Sequence, residues 1–214
     1  MTVSRRAFAF GALAAPLVGM AVTPAFAQTT LSAEDREALG LAQAYLRGLT
    51  AAEGRFTETG AGGQTRSGRF WLQRPGKMRF EYSTPQGLLV VADGNNVMRY
   101  DPRLNTFQQV PLSQTPLSTF LSRNVSFDQG VRVDAVTRRP SGAFAVTVRD
   151  ARRPNEGHAI LAFAGTPMRL QEWTVVDAQG SRTRTQLTEL RPATGLAASL
   201  FQLRDPTRRP GRNR

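Results

Sequence analysis

Alternating polar and apolar positions over residues 68–82 predict two neighbouring strands. The apolar residues fall on one parity of two short runs: Phe70, Leu72, Met78, Phe80 and Tyr82. A period of two is typical of strands with one buried side and one side facing water. Pro75-Gly76 separates the runs and predicts a turn between them.

Arg74 breaks this pattern, because it shares the parity of Phe70 and Leu72. The pattern therefore places its side chain on the apolar side of the strand. An unpaired charge in apolar surroundings is costly, so the guanidinium must find partners or water. Arg74 is accordingly the first candidate functional residue. The alternative is a surface arginine at the bend before Pro75.

The rest of the chain reads as one helix followed by many short strands. Helical spacing predicts an amphipathic helix over 32–49, started by a capping box of Ser32 and Asp35. Turn residues such as Asp93-Gly94 separate the later runs, which favours an antiparallel meander. The predicted strands are 53–59, 65–74, 77–83, 87–92, 96–101, 106–110, 130–136, 142–150, 157–164, 168–176 and 182–190.

A second helix, over 115–122, interrupts the strands. Thr115-Pro116 predicts its start, and Leu117, Phe120 and Leu121 form an apolar edge at helical spacing. A last short helix is predicted over 196–200. A long one-sided sheet curls through its twist, and the two longer helices are available to cover its apolar face. This arrangement predicts a pocket for an apolar ligand.

The N-terminal residues predict export. Residues 1–27 combine Arg5-Arg6, an apolar run and Ala25-Phe26-Ala27, which predicts a secretory signal peptide that is removed. The twin arginine leaves both the general secretory and the twin-arginine route open. We then expect residues 28–203 to form one domain and residues 204–214 to form a basic, disordered tail. Removal of residues 1–27 lowers the formal charge from +12 to +10. A positive charge of this size attracts anionic membranes and acidic partners.

The chain lacks the residues that most chemistry needs. It contains no cysteine and a single histidine, His158, which we interpret as a strand-edge residue without a role. No Gly-x-Ser-x-Gly elbow, phosphate-binding loop or nucleic-acid recognition motif occurs in the sequence. We therefore expect no catalytic residue, no metal site, no cofactor and no nucleic-acid partner.

Five short motifs together resemble a known family. They are Gly68-x-Phe70-Trp71-x-x-Arg74-Pro75, Met78-Arg79-Phe80-Glu81-Tyr82, Val91-Ala92-Asp93-Gly94, Tyr100-Asp101-Pro102 and Thr115-Pro116-Leu117. In this order and spacing the chain resembles the periplasmic outer-membrane lipoprotein carrier proteins, the LolA family. The resemblance implies a mainly β (α+β) fold. This fold is an incomplete antiparallel β-barrel, or half-barrel, with an α-helical lid over an apolar cavity.

The resemblance also implies a function without catalysis. A monomeric carrier in the periplasm of a Gram-negative bacterium would take acylated lipoproteins from an inner-membrane ABC-type exporter. It would deliver them to an outer-membrane acceptor or to the outer membrane itself. The alternative is a related periplasmic sensor module that binds lipids or lipopeptides.

The same resemblance implies roles for particular residues. Arg74 would hold the empty protein closed by hydrogen bonds to the lid. The acyl cavity would be lined by Phe70, Leu72, Met78, Phe80 and Tyr82, and the lid would contribute Leu117, Phe120 and Leu121.

Overall fold

The computed structural model describes residues 31–115 and 117–208. The predicted signal peptide, Pro116 at the start of the second predicted helix, and residues 209–214 of the predicted tail lie outside this part of the chain. Among the described residues, no helix has both the length and the apolar character that crossing a membrane requires.

Eleven strands form a single antiparallel sheet, which confirms the predicted meander. They are β1 Ala51–Thr59, β2 Thr65–Gln73, β3 Lys77–Thr84, β4 Leu89–Asp93, β5 Asn96–Asp101, β6 Thr106–Pro111, β7 Val131–Arg138, β8 Phe144–Asp150, β9 Gly157–Ala164, β10 Arg169–Asp177 and β11 Arg182–Pro192. Their spatial order is β6-β5-β4-β3-β2-β1-β11-β10-β9-β8-β7. The first and last strands of the chain therefore meet in the middle of the sheet.

The sheet stays open, because β6 and β7 are its two edges and do not pair with each other. These two strands follow one another in the chain. The connection between them, residues 112–130, therefore runs from one edge of the sheet to the other. The fold is the incomplete barrel that the sequence predicts.

Helix α1, Ala33–Gly48, matches the helix predicted over 32–49. The Ser32 side chain accepts from the backbone N–H of Asp35 (3.1 Å), and the Asp35 carboxylate accepts from the backbone N–H of Ser32 (3.2 Å). This reciprocal capping box satisfies two backbone groups at the helix start. The helix buries Ala38, Ala42 and Leu46 against the sheet.

Helix α2, Leu117–Phe120, is a single turn and is shorter than the prediction of 115–122. A 3₁₀ turn, Leu112–Gln114, precedes it. The Thr115 hydroxyl donates to the carbonyl of Leu112 (2.8 Å) and so closes this turn. Thr115 itself has extended backbone, so the α-helix begins only after it.

A 3₁₀ turn at Ala198–Phe201, close to the predicted helix at 196–200, lies on the outer side of the sheet. It contacts β3 and β4, and the Arg79 guanidinium donates to the carbonyl of Leu200 (3.3 Å). Phe201 is buried there. Residues 204–208, the start of the predicted tail, contain a turn in which the Thr207 N–H donates to Asp205 (2.9 Å).

Two separate clusters of buried side chains occupy the inner side of the sheet. The α1 core joins α1 to β8–β10 and consists of Ala38, Ala42, Leu46, Val125, Phe127, Phe144, Val146, Val148, Ala159, Leu161, Phe163 and Leu170. The α2 core joins β1–β4 to the 112–121 segment and consists of Phe56, Phe70, Met78, Phe80, Tyr82, Leu88, Ala92, Leu112 and Leu121. Trp173 and Leu187 pack against both cores.

Candidate functional site: a cavity between two cores

A cavity of about 270 Å³ lies between the α1 core and the α2 core. The sheet forms its floor, the end of α1 forms one side, and α2 covers it. The apolar side chains around it include Leu46, Leu49, Phe70, Leu72, Met78, Phe80, Leu117, Phe120, Leu121, Leu161, Leu170, Trp173, Leu187 and Leu190. Such a lining suits an apolar ligand.

The structure brings the predicted site residues together, with one exception. Phe70, Leu72, Arg74, Met78, Phe80, Leu117, Phe120 and Leu121 all border the cavity. Tyr82 instead packs against the ring of Phe56 (4.9 Å between ring centroids). Its hydroxyl donates to a carboxylate oxygen of Glu58 (2.9 Å), so Tyr82 belongs to the core beside the cavity.

Arg74 follows β2 and connects both helices to the sheet. Its Nε and Nη2 donate to the carbonyl of Phe120 at the end of α2, at 3.0 and 2.8 Å. Its Nη1 donates to the carbonyl of Leu46 (2.6 Å) and also to that of Leu49, at the end of α1. One guanidinium thus satisfies carbonyls that the last turns of two helices leave without partners.

The surroundings of Arg74 explain how a charge is tolerated on the apolar side of the sheet. Burial lowers the pKa of Arg74 from its ordinary value, and the nearby Tyr45 opposes this shift. An arginine nevertheless stays protonated in proteins. The negative end of the α1 dipole and the carbonyl of Phe120 face the guanidinium and favour its charge.

The turn that follows Arg74 also contacts the cover. The N–H of Gly76 donates to the carbonyl of Leu121 (2.7 Å). Gly76 has φ +77, and a Cβ atom there would come within 2.8 Å of the Cα of Gly94. Glycine is therefore required both for the backbone conformation and for the close approach of the two turns.

Several cavity residues were missed by strand alternation because of β-bulges. Leu170 and Trp173 have opposite parity, yet both line the cavity, since the register shifts between Leu170 and Glu172. Leu187 and Leu190 likewise both line it, and Glu189 between them has φ +59. An extra residue in one strand reverses the side on which the following side chains point. Only the register reveals this reversal.

One end of the cavity is polar. Arg149, Asp150, Arg153, Glu156 and His158 border it there, so the histidine interpreted as a plain strand-edge residue lies at the cavity. Within the described ranges, no group of three or more His, Asp and Glu residues is placed to hold a metal ion.

The cavity is small for a lipid. Its volume of about 270 Å³ lies below the roughly 300–1,000 Å³ of typical small-molecule sites. A ligand with several acyl chains would require the cover or the two cores to separate. In this structure the cover therefore lies closed over the cavity.

These features define a class of protein: an open antiparallel half-barrel with a helix-covered apolar cavity. Residues 47–204 match the model of the family described as outer membrane lipoprotein carrier protein LolA. The chain belongs to this family.

Two relatives of known description agree with this assignment by their sequences. The outer-membrane lipoprotein carrier protein of Bordetella pertussis is 30% identical, over 92% of this chain and 93% of its own. The protein with the same description from Methylobacillus flagellatus is 29% identical over 75% of this chain and 81% of its own. Among solved structures, a LolA superfamily protein from Nitrosomonas europaea aligns with a TM-score of 0.46 and 10% identity. That alignment covers 78% of this chain and 97% of the other.

Proposed function

We propose that this protein is a periplasmic carrier of lipoproteins, which encloses their acyl chains in the cavity between the two cores. The observation that supports this function best is the set of Arg74 hydrogen bonds. They hold α2 over an apolar cavity by a few polar contacts, so the cover can be released without unfolding the sheet. Arg74 is then a latch for the closed, empty form.

The energetics of acyl burial explain why a carrier needs such a latch. Each buried CH₂ group contributes about 0.8 kcal/mol, so full burial of a triacylated lipoprotein would contribute tens of kcal/mol. Cargo bound so tightly would not be released. Opening of α2 and loss of the Arg74 hydrogen bonds on loading offset part of this energy, because the closed empty form then competes with the cargo.

The proposed partners follow from the family. Cargo would come from an ABC-type exporter in the inner membrane and go to an outer-membrane acceptor or to the outer membrane itself. Transport into the periplasm would use the general secretory or the twin-arginine route. The protein itself would catalyse no reaction.

Identification of the bound cargo tests this proposal. Mature protein and its Arg74→Leu variant would be purified from the periplasm, and the molecules that they carry would be extracted and identified by mass spectrometry. We expect acylated lipoproteins, with more in the variant because its empty form closes less well. Arg47→Leu is the matched control. It removes an arginine from the end of α1 that donates to Val125 (2.9 Å) and not to α2.

Each other outcome has a distinct meaning. Free phospholipid or lipopolysaccharide in place of lipoprotein would favour the sensor module that binds lipids. Protein that carries nothing in all three samples would contradict a working cavity. Equal cargo in Arg74→Leu and Arg47→Leu would contradict the latch.

A further inference from the structure

The segment 112–121 is held at both of its ends, and by different parts of the sheet. Arg74, from the β2–β3 turn, binds its C-terminal end at Phe120. At the N-terminal end, the Nη1 of Arg153 donates to the carbonyl of Gln114 (2.9 Å). Arg153 belongs to the connection between β8 and β9.

The position of Arg153 in the topology makes this contact unusual. The Leu112–Gln114 turn directly follows β6, which is one edge of the open sheet. Strands β8 and β9 belong to the other half, next to the opposite edge strand β7. Strands β6 and β7 do not pair, so no strand hydrogen bond joins the two edges of the open sheet. The hydrogen bond from Arg153 to Gln114 connects the two halves across this opening.

The guanidinium of Arg153 is oriented by its own hairpin. It lies 3.2 Å from a carboxylate oxygen of Asp150 and 2.9 Å from one of Glu156. The other oxygen of Asp150 accepts from the backbone N–H of Arg152 (2.8 Å) and of Arg153 (3.1 Å). Arg149 also donates to the carbonyl of Pro154 (2.9 Å), so the end of β8 braces the connection through both Arg149 and Asp150.

We propose that Arg153 is a second lid clasp, a positioning residue that holds the N-terminal end of the cover to the opposite half of the sheet. This proposal rests on the proposed function in one respect, namely that the 112–121 segment moves away from the cavity. Loading would then break the Arg74 contacts at one end of the segment and the Arg153 contact at the other.

The two clasps differ in the groups that surround the guanidinium. Both arginines are half-buried, but Arg74 contacts helix-end carbonyls, whereas Arg153 lies between two carboxylates, and the Glu156 side chain is 62% exposed. Salt screens exposed charges much more than buried ones. Rising salt should therefore loosen the ion pairs that orient Arg153 and weaken its hold on the Gln114 carbonyl. Closure by Arg74, which has no carboxylate partner within the described residues, should change little.

The absence of cysteine allows a direct measurement of opening. A single Thr119→Cys substitution places a thiol on α2 at the cavity, and its rate of reaction with a soluble thiol reagent reports opening of the empty protein. We expect Arg153→Gln to increase this rate roughly three- to ten-fold, the effect of one lost hydrogen bond. Arg153→Lys should restore part of the closure, since it keeps the charge and a donor.

Arg152→Gln is the matched control. It removes the same charge from the same connection, and the Arg152 side chain is exposed and makes no hydrogen bond or ion pair within the described residues. We also expect the reaction rate to rise with salt in the parent protein and to rise less in Arg153→Gln. Equal rates in Arg153→Gln and Arg152→Gln would overturn the second clasp.

The Arg74→Leu variant separates this proposal from the proposed function. If Arg74→Leu leaves the reaction rate of the Thr119→Cys thiol unchanged, Arg74 does not hold the cover closed, and the latch of the proposed function is wrong. If Arg74→Leu raises the rate and Arg153→Gln does not, only the second clasp fails. Should Arg153→Gln not fold, Glu156→Gln at an exposed position replaces it, with a smaller expected acceleration; no acceleration would again overturn the clasp.

Discussion

The two halves of the sheet are covered in contrasting ways. Over β8–β10, the sixteen residues of α1 bury three side chains in a continuous core. Over β2–β4, the four residues of α2 bury none. The segment 112–121 buries Leu112 and Leu121 in the α2 core, and polar contacts from Arg74, Gly76 and Arg153 also hold it in place. A segment held by few buried side chains and a few hydrogen bonds opens more easily than a helix packed in a continuous core. One half therefore provides a packed wall, and in the proposed function the other provides a removable cover.

The strongest test of this contrast compares one phenylalanine from each half. Phe163 is 1% exposed in the α1 core, with its ring centroid 5.2 Å from that of Phe144. Phe163→Ala should lower the free energy of unfolding by about 3–5 kcal/mol, because it leaves a cavity in a packed core. Phe120→Ala, in α2, should cost less, about 1–2 kcal/mol, because its side chain is half-buried at the edge of the α1 core and is not enclosed by it. Denaturant unfolding measures both; equal losses would contradict the division into wall and cover.

A second test asks whether the strands of the α2 half are rigid although their cover is not. Tyr82 is buried among them and donates to Glu58. Tyr82→Phe should lower the free energy of unfolding by about 1.5–3 kcal/mol, since the acceptor is charged. Tyr100→Phe, on neighbouring β5, is the control, because its hydroxyl donates to no side chain or backbone group within the described residues.

The same variant has a pH signature. Burial, with the charge and hydrogen bond of Glu58, raises the pKa of Tyr82 above its ordinary value near 10. The folded state therefore keeps a proton that the unfolded state releases above about pH 10. The contribution of Tyr82 is fully present below that pH and is lost as the pH rises beyond it. Between pH 8 and 11, the free energy of unfolding should fall less steeply with pH in Tyr82→Phe than in the parent protein. Parallel curves would contradict the raised pKa of Tyr82.

The smallest expected effect concerns the start of α1. Ser32→Ala removes one side of the capping box and should cost about 1 kcal/mol of unfolding free energy. The reaction rate of Thr119→Cys should not change, because the packed wall does not control the cover. Ser181→Ala, at an exposed position, controls for loss of a hydroxyl. Faster reaction in Ser32→Ala would show that the two halves are coupled.

Much of the fold could be predicted because its signals are local. Alternation and turn residues determined the number and order of the strands, and helical spacing with a capping box determined α1. Arg74 shares the parity of the apolar residues Phe70 and Leu72, and this marked it as a candidate before any partner was known. The resemblance then grouped it with the residues that border the cavity, Tyr82 excepted.

Contacts between distant segments were decided only by the tertiary structure. The sequence determined where strands occur, but the pairing of β1 with β11 determines which edges stay open. The bulges that turn Trp173 and Leu190 toward the cavity follow from register. The partners of Arg74 and Arg153 are backbone carbonyls, which every residue has. No side-chain pattern can mark such a carbonyl, so only the folded chain shows which ones the two guanidinium groups bind.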